Sequence, residues 1–108
     1  MRFIVVIAMA VFLTSCRSKE GDARAEINRN ATSECIQREA ASVASKQVDI
    51  DTAAYSVIAM CSSFINVERQ ALISDYPGYR DEVEVSFRKV EAVRFDQARS
   101  AVAIARTR

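Results

Sequence analysis

The only proline in the chain, Pro77, stands directly before one of its two glycines, Gly78. A fold of many short strands needs a turn about every 8–12 residues. A chain of 108 residues with so little turn chemistry must be built from long segments. Proline removes a backbone donor and restricts the residue before it, while glycine tolerates positive φ. Tyr76-Pro77-Gly78-Tyr79 therefore marks the clearest break in the sequence. Ala, Glu and Arg are abundant on both sides, which favours helix. One domain is all that this length supports.

Three helical segments are expected. The first runs from Ser33 to about Val48, with Ile36, Ala40, Val43 and Gln47 on a narrow face. Small residues there allow close approach of another helix, and Thr32 or Ser33 can cap the start. Asp49-Ile50-Asp51-Thr52 reads as a turn plus an N-cap for the second helix, Thr52 to about Asp75. Ala54, Val57, Ile58, Cys61, Phe64, Ile65 and Leu72 give that helix a broad apolar stripe, and Phe64 is assigned to the core. Glu68, Arg69 and Gln70 mark its wetter side. The third segment, Arg80 to Ala105, begins ambiguously. Val83, Val85 and Phe87 alternate as a strand would, whereas Val83, Phe87, Val90, Ala98 and Ala101 fit a helix. Its length without Gly or Pro favours helix. So do Asp81, Glu82 and Glu84 at its start and Arg99, Arg106 and Arg108 at its end, which complement the helix dipole.

The N-terminus has a different character. Arg2 precedes eleven unbroken apolar residues, Phe3 to Leu13. As a helix they would span about 16 Å, half of a bilayer core about 30 Å thick, which suits a secretory leader. Leu13-Thr14-Ser15-Cys16 then resembles the lipobox of bacterial lipoproteins, with Thr14-Ser15 where Ala-Gly is more usual. The resemblance covers the first 16 residues only. It implies a leader over residues 1–15, cleaved by signal peptidase II, and a diacylglyceryl group on the Cys16 thiol. Further acylation of the new amino group would give a stable two- or three-chain anchor. Arg17 stands where an aspartate would retain such a protein at the inner membrane. The implied location is therefore the periplasmic face of the outer membrane. Residues 16–31 follow as the lipidated cysteine and a flexible or weakly helical tether, mixed in charge and poor in large apolar residues. Residues 32–108 form the helical domain.

If Cys16 carries lipid, Cys35 and Cys61 remain. In an oxidising compartment an even pair reads as a disulfide, here tying the first two helices into a hairpin. Closing a loop of about 25 residues should stabilise by about 3–4 kcal/mol. A redox-active pair is the alternative, though such pairs usually stand close together at a helix N-terminus. The expected architecture is all-α: a disulfide-stapled helical hairpin plus a third long helix, a small three-helix bundle.

Several chemistries are excluded or unsupported. The chain has no His, so it can form neither a Ser-His-acid nor a Cys-His set. Ser-Lys catalysis would have to use Lys46 or Lys89 in the mature domain, and neither has a local motif. Glu34, Glu39, Glu68 and Glu91 could in principle supply a carboxylate pair, yet nothing singles out two of them, and solvated helix faces account for all four. Asp49 and Asp51 lack the further oxygen donors that a calcium or magnesium site needs. No catalytic residue, metal or cofactor is expected. Removing Arg2 from the 15 basic residues leaves 14, against 14 acidic ones. Such a balance gives no global pull toward nucleic acid. The expected role is a non-enzymatic, lipid-anchored envelope module that binds another envelope protein. The alternatives are a small thiol–disulfide helper or other enzyme, and a structural spacer with no dedicated partner.

Overall fold

The computed structural model describes residues 21–108 down to their side chains. The leader read over residues 1–15 and the lipidation site read at Cys16 lie outside those residues. Among the described residues the protein is all-α, with four helices: α1 (Arg2–Val43), α2 (Ile50–Met60), α3 (Ser62–Asp75) and α4 (Arg80–Arg106).

The first difference from the sequence expectation is where α1 runs. Gly21 to Ala31, read as tether, is helix continuous with the segment from Ser33. Thr32 is not a cap but a fully buried residue in the helix interior, and its hydroxyl donates to the Asn28 carbonyl at 3.0 Å. This i−4 bond satisfies the hydroxyl without interrupting the helix. At the other end α1 stops at Val43, short of Val48, so Gln47 lies in the connection and is exposed. A distant residue holds that connection. The Arg106 guanidinium donates to the carbonyls of Ala44 (3.3 Å), Lys46 (3.2 Å) and Val48 (2.6 Å). A cation just beyond the C-terminal end of a helix is favoured by the dipole, and it satisfies carbonyls that the connection leaves free.

The second difference is a break in the hairpin's second arm. The expected single helix to Asp75 is two helices, which meet at Cys61 with a bend of 61°. Cys61 has φ −99° and ψ 10°, in the bridge region between helix and extended backbone. Neither proline nor glycine causes the bend. It falls at the half-cystine, immediately before Ser62-Ser63, a kind of pair at which helices bend. The buried stripe of Val57, Cys61, Ile65 and Glu68 runs on through the bend. Ile65 is buried, whereas Phe64, assigned to the core from sequence, is 37% exposed.

The remaining boundaries follow local chemistry. Asp49 caps α2, accepting from the Thr52 backbone N–H at 3.0 Å and the Thr52 hydroxyl at 2.6 Å. α3 ends at Asp75, with Tyr76 before Pro77 as its C-cap, and Gly78 takes φ 88°, where a side chain would be strained. Residues 82–87, ambiguous in sequence, are helix: Val83 and Phe87 are buried and Val85 points outward.

Pairings fix the directions. Ser33 meets Gln97 and Ala44 meets Arg106, so α1 and α4 run the same way. Asp51 pairs with Arg99 and Tyr55 with Phe95, so α2 runs against α4. Arg24 pairs with Asp75 and Cys35 with Cys61, so α3 runs against α1. The main core lies among α1, α2 and the C-terminal half of α4. Ile36, Ala40 and Val43 meet Ala53, Ala54 and Val57 there, closed by Ala98, Ala101 and Val102. Alanines on every wall let the helix axes approach closely, as the narrow face of α1 requires.

Candidate functional site

The other half of the molecule is less filled. Between α1, α3 and the N-terminal half of α4 lies an open groove of about 600 Å³. Its apolar walls are Ala25 of α1, Ala71 and Leu72 of α3, and Phe87, Val90 and Val93 of α4. Arg24, Arg29 and Lys89 also line it and are exposed. A groove of this size falls within the usual range of about 300–1,000 Å³ for ligand sites.

A polar network closes one wall of the groove. Arg94 Nη2 donates to Glu68 Oε1 at 2.5 Å, and both side chains are over nine-tenths buried. Arg94 Nη1 donates to Gln97 Oε1 at 2.8 Å and to Ser33 Oγ at 3.3 Å, and Gln97 Nε2 donates to Ser33 Oγ at 3.1 Å. Three helices thus share one charged cluster, and no fully buried side-chain nitrogen or oxygen lacks a partner among the described residues. Breaking such a pair leaves an uncompensated buried charge, whereas the intact cluster fixes how the helices seat against one another.

Sequence reasoning placed Glu68 on a wet face, and the structure corrects this. Glu68 sits on the stripe of Cys61, Ile65 and Leu72, and Arg94 on the buried stripe of Val83, Phe87, Ala98 and Ala101. Each is a lone charge on an apolar face, of sign opposite to the other. That was the signal available in the sequence.

The other carboxylates considered are dispersed. Glu34 and Glu91 are exposed on different helices, and Glu39 faces Arg38 at 3.4 Å. Lys46 lies exposed in the α1–α2 connection, while Lys89 lines the groove. The Asp49-Ile50-Asp51-Thr52 string divides its roles. Asp49 is the cap, and its carboxyl is held below the ordinary carboxylate range by the hydrogen bonds from the Thr52 hydroxyl and then the Thr52 N–H. Asp51 instead pairs with Arg99 at 2.9 Å.

The cysteines behave as a structural pair. Cys35 and Cys61 are joined, with Cα atoms 5.9 Å apart, in the usual range for a disulfide. Both are buried, in the main core beside Ile36 and Val57. The bridge therefore holds α1 against the bend, between the main core and the groove. No protein-family model, curated protein or solved structure matches the chain.

Proposed function

We propose that the protein is a lipoprotein held through Cys16 at the periplasmic face of the bacterial outer membrane, and that its helical domain is a non-enzymatic module for binding another envelope protein. The observation that carries the anchor is the order Arg2, Phe3 to Leu13, then Leu13-Thr14-Ser15-Cys16. Two features of the domain support a binding role over catalysis. The Glu68 carboxylate, which lines the groove, is committed to Arg94. Met60 before the bend and Phe64 and Val67 after it lie exposed at 4- and 3-residue steps, as apolar contact residues would. The thiol–disulfide alternative is disfavoured because exchange begins with a thiolate reaching a sulfur, and both sulfurs here belong to buried residues.

The test is fractionation of a Cys16→Ser variant, combined with crosslinking in intact envelopes. The variant should leave the membrane fraction or accumulate unprocessed, and the parent should crosslink to a defined envelope protein. A variant that fractionates and migrates like the parent would remove the anchor. A parent that captures no specific partner would remove the binding role.

A further inference from the structure

The groove between α1, α3 and α4 has two kinds of surface, and together they define a ligand class. Its apolar walls come from all three helices, with Val93 left 64% exposed at the margin and Leu72 and Val90 half-buried. Its charge is unbalanced. Glu68 and Arg94 cancel each other, and Arg24 faces Asp75 at 3.9 Å. Arg29 and Lys89 then remain as cations of its lining, one from α1 and one from α4, with no ion-pair partner among the described residues. An apolar trough carrying two uncompensated cations is complementary to a molecule with an apolar body and an anionic end.

The groove is open and of about 600 Å³, within the range of small-molecule sites. A single acyl chain can lie along the trough and bury its methylenes against Leu72, Phe87 and Val90, each methylene contributing to the hydrophobic term.

We infer that this groove binds a single-chain anionic amphiphile, its chain along the apolar walls and its carboxylate or phosphate head between Arg29 and Lys89. This goes beyond the protein-binding role proposed above and does not depend on the Cys16 anchor.

Photolabelling tests it. The full chain is mixed with phosphatidylcholine vesicles containing a long-chain fatty acid that carries a mid-chain diazirine, and labelled peptides are mapped by mass spectrometry. Label should concentrate on the α3 and α4 peptides that hold Leu72, Val90 and Val93. Unlabelled fatty acid or lysophosphatidic acid should compete, and the stronger competitor identifies the head as carboxylate or phosphate. A long-chain alcohol should compete poorly. Val93→Glu, at an exposed position, and a paired Arg29→Gln, Lys89→Gln variant should each lower labelling at least about fivefold with helicity and disulfide intact. Label spread evenly over the surface, equal competition by the alcohol, or labelling unchanged in these variants would overturn the assignment.

Discussion

Arg94 Nη2 and Glu68 Oε1 lie 2.5 Å apart across the α3–α4 interface, over nine-tenths hidden from water. The pair is expected to be asymmetric toward mutation. Arg94→Met strands a buried carboxylate and should cost about 3–5 kcal/mol. Adding Glu68→Met should restore most of that loss, because Ser33 and Gln97 can still bond each other. Denaturant midpoints of the two single variants and the double variant measure this. A double variant no more stable than Arg94→Met would show that the pair contributes more than mutual charge compensation.

Replacing Cys35 and Cys61 together by alanine should cost about 3–4 kcal/mol, from the entropy that a cross-link of sequence separation 26 removes from the unfolded chain. Because both residues are buried, the bridge should resist mild reductant in buffer and yield to it in denaturant. Thiol labelling with and without urea reads both states.

Two phenylalanines should differ sharply. Phe87 is 2% exposed, and Phe87→Ala should cost about 3–5 kcal/mol. Phe64, 37% exposed at the margin of the stripe, should tolerate Phe64→Ser at well under about 1 kcal/mol. Equal losses would mean that Phe64 packs in the core.

Much of this architecture was legible in the sequence. Pro77-Gly78 announces the α3–α4 turn, the Asp49 cap announces α2, and the buried positions of α4 stand at helical spacing. Each of these signals is local, carried by one residue's backbone preference or by the period of one helix. What escaped detection depends on distant partners. The end of α1 at Val43 is secured by Arg106, and the bend falls at the residue that Cys35 holds. Phe64 was misplaced because it adjoins the buried line of Cys61, Ile65 and Glu68, and the charge of Glu68 hid which side of that line faces inward. The groove's polar wall was partly readable, since Glu68 and Arg94 interrupt facing apolar stripes with opposite charges, but a single helix does not reveal its neighbour.

The Asp49 cap should titrate. Its folded-state pKa is lowered, so the folded protein favours the carboxylate. The cap's contribution is then fully present above the unfolded carboxylate value of about 3.9 and is lost as pH falls through the lowered folded value. Asp49→Asn keeps an acceptor that does not titrate. The parent's Tm should fall more steeply than the variant's between about pH 5 and pH 2. Parallel curves would exclude this carboxylate from the acid response.

Arg106 holds the α1–α2 connection from the last turn of α4, two residues before the end of the 108-residue chain. These bonds join residues 58 to 62 positions apart in the chain. α1 and α2 likewise complete their core only where α4 brings Ala98, Ala101 and Val102 against it. The hairpin by itself leaves one wall of its core open, so its first connection and its core are secured by the same distant helix and should be lost together.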